Sequence, residues 1–356
     1  MNAPTPAAPA YSVVVPTVGR PSLARLLAAL EDGRGPLPEA VVLVDDRRSP
    51  GGPLPAAAGP RLAARLRVLP GPARGPAAAR NVGWRATATP WVAFLDDDVL
   101  PPPDWAARLT EQLAGLPAEV GGSQGRVVVP LPADRPATDW ERRTAGLAAA
   151  CWATADMAYR RDALDWVGGF DERFPRAYRE DADLALRVLD AGYGLVRGDR
   201  MVRHPVRPAD RWVSVRAQTG NADDALMRRL HGSGWRGRAG APVGRLRRHL
   251  VTVGAGGVAV AAGVARRRRL AGLAALGWAA GTAEFALARL RPGPRDRAEV
   301  RTMLLTSVLI PPVAVFHRVR GTLVHRRAAG WPAPPAPRPA PWPAPLVAAR
   351  TAGGSR

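Results

Sequence analysis

The amino-acid sequence predicts an α/β fold, with a mostly parallel sheet flanked by helices and a basic, helical, membrane-associated region after it. Short apolar runs rich in valine do not alternate with polar residues, which is typical of strands buried on both faces. Helical segments separate these runs, as in βαβ units. Beyond residue 230 the chain changes to long uncharged stretches interspersed with arginine.

The first hundred residues contain four such runs, and two of them end at clusters of acidic residues. Strands are predicted at 12–16, 40–44, 66–69 and 91–95, and helices at 21–30 and 77–86. Asp45 and Asp46 follow the second run, and Asp96, Asp97 and Asp98 follow the fourth. Open parallel sheets bind ligands outside the carboxyl ends of their strands, so both clusters are candidates for a binding site.

The following segment predicts further elements up to a boundary near residue 230. Glu180 and Asp181 begin a predicted helix at 180–191, and Gly192 follows its end, which is the usual start and stop chemistry of a helix. The remaining predictions are a helix at 104–113, a strand at 126–129, a strand leading into a turn at 151–159, and short apolar pieces at 195–196 and 201–202.

Positive charge is concentrated in the second half of the chain. All 51 basic residues are arginine, which indicates first of all the codon bias of a GC-rich genome. Residues 1–200 nevertheless contain 24 arginines and 24 acidic residues, so the net charge of +21 comes entirely from residues 201–356. Codon bias would act on both halves alike. The asymmetry therefore indicates an anionic partner, either phospholipid headgroups or nucleic acid.

Three uncharged or nearly uncharged segments lie in this basic half, at 250–265, 270–288 and 302–316, the last interrupted by Pro311 and Pro312. A membrane span needs about 20 apolar residues, which only 270–288 approaches. In a spanning hairpin the arginines at 266–269 would lie on the far side, against the positive-inside tendency. The prediction for 231–327 is therefore a set of helices in the headgroup interface. The alternative is a small helical domain that covers the sheet.

Both ends of the chain are predicted to be disordered, at residues 1–10 and in the Pro/Ala-rich segment 328–356. Residues 1–10 lack the basic and apolar regions of a secretion signal. Cys151 is the only cysteine, which excludes an intrachain disulfide. We expect a protein that is not secreted and that works in a reducing compartment.

The three consecutive carboxylates of Asp96, Asp97 and Asp98 predict a metal site. Adjacent carboxylates at the end of a buried strand repel one another and lose hydration. A divalent cation such as Mg²⁺ or Mn²⁺ relieves both costs, and Mg²⁺ is often held by one or two carboxylates together with substrate phosphates. The alternative is a solvated acidic turn.

Seven short strings, in order, resemble glycosyltransferase family 2. They are VVVPT at 13–17, VDD at 44–46, ARNVG at 79–83, FLDDD at 94–98, RRDAL at 160–164, VGGFDE at 167–172 and EDADL at 180–184. The resemblance covers about residues 11–206. It implies a GT-A fold over 11–230, with a nucleotide-sugar half at 11–100 and an acceptor half at 101–230.

The resemblance also implies a donor site. Asp96 and Asp98 would hold the cation on the diphosphate of the donor, and His204 resembles a histidine that some members add to the metal. Around them, the residues expected to contact or approach the donor nucleotide are Pro16, Thr17, Asp45, Asp46, Arg80, Asn81 and Asp96.

For the chemical step, the resemblance places the general base at Asp181, preceded by Glu180. One base without an obvious nucleophile suits single displacement, and hence inversion at the anomeric carbon. Asp156 and Trp152 are candidates for contact with a sugar, although Trp152 also suits the core. The family's Gln-x-x-Arg-Trp string of processive synthases is missing, so we expect transfer of a single sugar.

These features predict an inverting, metal-dependent glycosyltransferase at the cytoplasmic face of the cell membrane. Its partners would be a nucleotide-sugar donor, a glycan or lipid-linked acceptor and an anionic membrane surface. One alternative is transfer to a polyprenyl phosphate, as in the dolichyl-phosphate mannose synthase branch. Another is a basic nucleic-acid-binding protein, which is disfavoured because such grooves interleave basic and aromatic residues.

Overall fold

A computed structural model describes residues 8–331 of the chain, and its centre is one seven-stranded sheet. The order of the strands across the sheet is β3-β2-β1-β4-β6-β5-β7. The strands are β1 (Tyr11–Thr17), β2 (Val41–Asp45), β3 (Leu66–Pro70), β4 (Trp91–Leu95), β5 (Val120–Val128), β6 (Asp156–Arg160) and β7 (Gly194–Arg203).

The sheet is mostly parallel, as predicted. Strands β1 to β4 pair in parallel, and so do β5 and β7, whereas β6 runs antiparallel to both β4 and β5. The carboxyl ends of β1, β2 and β4 therefore meet at one edge. Both predicted acidic clusters lie at this edge.

Twelve α-helices flank or follow the sheet within the described residues. They are α1 (Ser22–Glu31), α2 (Pro76–Arg85), α3 (Trp105–Ala114), α4 (Asp139–Ala145), α5 (Arg161–Val167), α6 (Glu180–Asp190), α7 (Val213–Arg216), α8 (Gly220–His231), α9 (Trp235–Arg238), α10 (Leu246–Val264), α11 (Arg268–Leu290) and α12 (Arg297–Val324).

Two apolar clusters cover the opposite faces of the sheet. Alternate residues of β1 point into different clusters, with Val13 and Val15 in one and Val14 in the other, and all three are fully buried. Trp105 of α3 closes the first cluster, while Trp84 of α2 closes the second. Burial on both faces explains why the strands read as continuous apolar runs.

Three sequence predictions differ from the observed strands. The strand predicted at 126–129 is the end of the longer β5, whose first half contains Gly121 and Gly122 instead of an apolar run. A Cβ atom at Gly121 would lie 2.8 Å from the ring of Tyr193, so this close packing requires glycine. The two pieces at 195–196 and 201–202 form a single strand, β7, and the strand predicted within 151–159 begins only at Asp156.

The predicted apolar segments of the second half form α10, α11 and α12, and Pro311 and Pro312 lie inside α12 instead of interrupting it. Two prolines remove two backbone hydrogen bonds, which normally breaks a helix. Here α12 packs on α7, α8, α10 and α11, and Ile310, Pro311 and Ala314 are buried, which offsets that loss.

By length and composition alone, α11 and α12 could each cross a membrane. Large apolar side chains are exposed on both, including Leu273 and Leu276 of α11 and Phe316 and Leu323 of α12. These helices are candidate membrane-associated segments. Most of the predicted tails, at 1–7 and 332–356, lies outside the described residues.

Candidate active site

The loop after β4 separates the roles of its three aspartates. Asp97 is buried, and its carboxylate accepts hydrogen bonds from the hydroxyl of Thr17 and from Arg20, each at 2.7 Å. Asp97 therefore joins the ends of β1 and β4. Its two neighbours, Asp96 and Asp98, lie in the cluster with His204 and are therefore the candidates for the metal site.

Asp96, Asp98 and His204 form a cluster in which one oxygen or nitrogen atom of each lies within 4.8 Å of the others. His204 follows β7 directly, and the backbones of Leu100 and Arg203 bond to each other in both directions, which brings β7 to the loop after β4. The sheet edge thus joins residues about a hundred positions apart in the chain.

The cluster has the chemistry of a divalent-cation site. The Nδ1 atom of His204 is buried and has no hydrogen-bond partner among the residues that the structure describes. Burial, together with the neighbouring Asp96, raises the pKa of Asp98, although His204 and Arg207 oppose this. A divalent cation would stabilise both carboxylates and would be coordinated by an imidazole nitrogen of His204. Two carboxylates and an imidazole suit Mg²⁺ or Mn²⁺.

Arg80 connects this cluster to the start of α6. Its side chain is 1% exposed, and it donates to Asp96 at 2.7 Å and to Glu180 at 2.9 Å, while the guanidinium lies over the ring of Phe170. The prediction made Arg80 a donor contact. The structure places it beneath the site instead, as the cation shared by two acidic groups.

Glu180 and Asp181 occupy the first turn of α6. Burial raises the pKa of Glu180 to about 8, and the nearby Asp181 acts in the same direction against the pull of Arg80. Burial likewise raises the pKa of Asp181, whose carboxylate accepts a hydrogen bond from the backbone N–H of Ala182 at 2.7 Å. A carboxylate with a raised pKa is a stronger base, which suits the predicted role of Asp181.

A cleft of about 700 Å³ opens at the carboxyl ends of β1 and β2. Asp46 and Arg47 line it, and Arg47 donates to both carboxylate oxygens of the adjacent Asp45, at 2.8 and 2.7 Å. The Asp45 carboxylate is therefore held by Arg47, where the prediction had it free to meet a nucleotide. Pro16 and Thr17 end β1 beside this region, with Thr17 committed to Asp97.

Asn81, predicted to approach the donor, is buried and fully hydrogen-bonded. Its amide group donates to the carbonyl of Phe170 and to Glu172, and it accepts from the backbone of Phe170 and the indole of Trp84. It holds the 170–172 loop against α2. This saturation leaves the Asn81 side chain without a free group for a nucleotide.

Asp156 and Trp152 do not lie where a sugar contact requires them. Asp156 is fully buried on β6, where it accepts hydrogen bonds from Arg200 at 2.9 Å and from the Trp105 indole at 3.1 Å. This ion pair lies within the sheet core, so the prediction of a sugar contact for Asp156 disagrees with the structure. Trp152 packs against the apolar cluster around Trp84, the core alternative that the sequence also allowed.

Sequence reasoning missed four arginines of the site region, which are Arg20, Arg47, Arg179 and Arg207. Arg207 lies 3.0 Å from Asp98, and Arg20 lies 2.7 Å from Asp97. With 51 arginines in the chain, residue type alone could not single them out. Their partners are all aspartates. Asp45, Asp97 and Asp98 lie at or after the ends of β2 and β4, a position that could have led to Arg47, Arg20 and Arg207, whereas Asp224, the partner of Arg179, lies on α8 and gave no such signal.

Comparisons with known proteins show what the chain is similar to. Residues 12–183 match the family model described as "Glycosyl transferase family 2". The "Pre-mycofactocin glycosyltransferase" of Mycobacterium tuberculosis (strain CDC 1551 / Oshkosh) is 31% identical over 198 residues, which cover 51% of this chain and 39% of that protein. The protein of the same name in strain ATCC 25618 / H37Rv matches equally. The chain thus spans about two fifths of the length of these relatives.

Solved structures also align with the chain. "Crystal structure of S. aureus TarS" has a TM-score of 0.39 and 18% identity, covering 64% of this chain and 41% of that one. "Crystal structure of GalNAc-T7 with UDP, GalNAc and Mn2+" has a TM-score of 0.43 and 15% identity, covering 67% and 55%.

Residues 12–183, which include most of the α/β sheet, thus resemble a glycosyltransferase domain. The match to glycosyl transferase family 2 covers residues 12–183, just under half of the chain. The resemblance drawn from its seven strings is thereby confirmed.

Proposed function

We propose that this enzyme transfers one sugar, with inversion, from a nucleotide-diphospho-sugar to a lipid-linked or cell-surface glycan precursor at the cytoplasmic face of the membrane. The single observation that supports it best is the bridge made by Arg80. This side chain holds Asp96 of the cation cluster and Glu180 of the acidic pair at distances below 3 Å. A donor-activating group and a candidate base thus belong to one site.

Asp96, Asp98 and His204 would hold the divalent cation, which, when bound, neutralises the charge that develops on the leaving diphosphate. The Asp181 carboxylate takes the proton of the acceptor hydroxyl as the new glycosidic bond forms. Such a general base contributes about 10²- to 10⁴-fold in rate. Arg80 keeps the Glu180 carboxyl in place beside it. With one base and no second carboxylate nucleophile assigned, the sugar carbon inverts in a single displacement.

The acceptor class is proposed from the C-terminal helices. Exposed Leu273, Leu276, Phe316 and Leu323 offer apolar surface to a bilayer, while the net charge of +21 lies in the same half of the chain. Apolar side chains together with arginines suit an anionic lipid surface better than a nucleic-acid groove. A lipid-linked acceptor would then be concentrated at the enzyme.

The first experiment is thermal unfolding with UDP, GDP and dTDP, each with and without Mn²⁺. A ligand at about 100 times its Kd adds roughly 2.7 kcal/mol to the unfolding free energy. We expect one nucleotide to raise the Tm in a Mn²⁺-dependent way, and the shift to vanish in Asp96→Ala. A folded protein that responds to none of the three would contradict the proposal.

The second experiment compares acceptors. Lipid-linked glycan, polyprenyl phosphate and pre-mycofactocin, the compound in the name of the relatives, are offered with the donor that the first experiment selects. We expect transfer to a hydroxyl group of the lipid-linked glycan, and we expect Asp181→Asn to abolish this transfer. Polyprenyl phosphate is already an anion, so transfer to it that survives Asp181→Asn would replace the proposed acceptor with this one.

A further inference from the structure

The segment that leads into the acidic pair is tied to α8 by two arginine–aspartate pairs. Arg176 donates to both oxygens of Asp223, at 2.7 and 2.6 Å, and Arg179 donates to Asp224 at 2.8 Å. Both aspartates are buried neighbours in the first turns of α8. Helix α8 follows the residues matched by the family model, so the motifs of that family assign these pairs no role.

A third contact ties α6 itself to α8. The ring of His231, the last residue of α8, lies 2.8 Å from the carboxylate of Asp183, which follows Asp181 by two residues. Contacts therefore flank the acidic pair on both sides along the chain. Helix α8 forms a support for the first turn of α6.

Arg179, directly before Glu180, has a left-handed backbone conformation with φ of 80°. This conformation is unfavourable for a residue with a side chain and persists only where the surroundings enforce it. Here the guanidinium is held by Asp224 and by the hydroxyl of Tyr178, and it lies over the rings of Tyr178 at 4.3 Å and Trp235 at 4.9 Å. The side chain fixes a bend that sets the direction in which α6 begins.

Helix α12 supports α8 from the other side. A Cβ atom on Gly321 of α12 would lie 2.5 Å from the Cα atom of Ala222, so the two helix backbones are in direct contact at this point. Ala222 immediately precedes the two aspartates, Asp223 and Asp224. The packing of a candidate membrane-associated helix thus continues into the support of the acidic pair.

We propose that Arg179 and Asp224 are positioning residues for this transferase, which orient the carboxylate of Asp181 toward the acceptor through the bend before α6. Helix α12 keeps α8 in the position that the pair requires. The proposal rests on the proposed role of Asp181 as the base. It predicts that the turnover rate depends on residues of α8 and α12 that touch neither donor nor cation.

The test measures kcat and KM for UDP-glucose, GDP-mannose or dTDP-glucose, whichever carries the nucleotide that stabilises the protein with Mn²⁺. Release of the nucleoside diphosphate is the readout, with full-length protein. We expect Asp224→Asn to lower kcat about 10- to 100-fold, because small misplacements of a reacting group cost about that much. KM for the donor stays within about twofold, since the donor cleft is untouched.

The matched control is Asp190→Asn. Asp190 also lies on α6 and pairs with an arginine, Arg238, but both side chains are about half exposed and lie at the far end of the helix. We expect its kcat to remain within about twofold of the wild type. A second, uncharged change is Gly321→Ala, whose new methyl group forces α12 away from α8 and should lower kcat without altering any charged residue.

A double substitution separates positioning from general loss of stability. If Arg179 and Asp224 act as one pair, Arg179→Ala combined with Asp224→Ala lowers kcat no further than Asp224→Ala alone, which also removes the partner of Arg236. Asp224→Glu, which keeps the charge, should restore part of the rate. Thermal unfolding confirms that each measured variant is folded, and Gly321→Ala keeps the test decisive should the charge variants fail to fold.

The outcomes distinguish this proposal from the proposed function. Wild-type kcat in folded Asp224→Asn and Gly321→Ala, with Asp181→Asn inactive, would overturn the positioning role and leave Asp181 as the base. Full activity of Asp181→Asn would instead contradict the proposed function itself. A drop in kcat with unchanged KM in both positioning variants, but not in Asp190→Asn, supports the proposal.

Discussion

Arg80 and Glu180 form an ion pair of 2.9 Å in which the side chains are only 1% and 3% exposed. Arg80 lies on α2, among the motifs of the donor half, and Glu180 begins α6 in the acceptor half. The other end of the same guanidinium binds Asp96. The buried guanidinium of Arg80 therefore determines the spacing between the proposed metal site and the proposed base. Substitution of Arg80 tests this arrangement directly.

Replacing Arg80 by methionine should destabilise the protein by about 3 kcal/mol. Removing one partner of a buried ion pair leaves a buried carboxyl group without compensation, which typically costs about 3–5 kcal/mol. Glu180 can lessen this cost by remaining protonated, which places our expectation at the lower end. Urea denaturation in detergent solution measures the change.

Arg85→Met is the matched control for Arg80→Met, since Arg85 lies on the same helix but is exposed. We expect its effect to stay within about 0.5 kcal/mol. Equal effects of the two substitutions would mean that the buried ion pairs of Arg80 contribute nothing specific to the fold.

Asp97 and Asp98 should respond oppositely to amide substitution. Asp98→Asn removes a carboxylate of the proposed cation cluster, so we expect it to abolish the Mn²⁺-dependent rise in Tm with nucleotide while the apoprotein remains folded. Asp97→Asn weakens the bonds to Thr17 and Arg20, so we expect a lower Tm but a retained response to Mn²⁺. The reverse pattern would mean that Asp97 binds the metal instead of Asp98 and would contradict the proposed cluster.

The strands and the acidic edge of the sheet could be predicted because their causes are local. Val13, Val42 and Phe94 are buried because both faces of the sheet are covered. Each strand is therefore a continuous apolar run, which is visible in the sequence. Strand β5 was largely missed, because the ring of Tyr193 requires glycine at position 121, while Tyr159, Leu195 and Met157 leave no room for a side chain at Gly122. A local pattern does not record such a partner.

The same distinction applies to the site. Asp96, Asp98 and His204 were grouped from motifs, and the structure brings them together. Asp156 was misjudged because a buried aspartate and a ligand-binding aspartate look alike in sequence. What decides between them is Arg200, which arrives from β7 and completes an ion pair with no exposed side-chain surface. Helix α12 was misjudged because its packing on α7, α8, α10 and α11 leaves no local trace around Pro311 and Pro312.

The core location of Asp156 has a measurable consequence. Asp156→Leu leaves Arg200 buried without its partner, and we expect a loss of about 3–5 kcal/mol in unfolding free energy. Adding Arg200→Met should recover much of this loss, because replacing both members of a buried ion pair by apolar residues is often neutral. An Asp156→Leu protein with wild-type stability that lacks only transfer activity would restore the sugar-contact interpretation.

Protonation of Glu141 in acid should weaken the contact between the sheet domain and the C-terminal helices. Glu141 of α4 accepts hydrogen bonds from Arg135 and from the backbone N–H and hydroxyl of Thr138, which lower its pKa from 4.5 to about 2 against the opposing effect of burial. Helix α4 begins at Asp139, which binds Arg289 of α11 at 2.8 Å, so this helix start anchors the two parts.

Because the folded pKa of Glu141 lies below its unfolded value, its contribution to stability is complete above pH 4.5 and disappears as the pH falls toward 2. Glu141→Gln should therefore lower the unfolding free energy at pH 7, and the difference from the wild type should shrink steadily below pH 4.5. Urea denaturation between pH 3 and 7 measures it, with exposed Glu111→Gln as the control. A difference that is the same at pH 3.5 and pH 7 would show that the charge of Glu141 does not hold the start of α4.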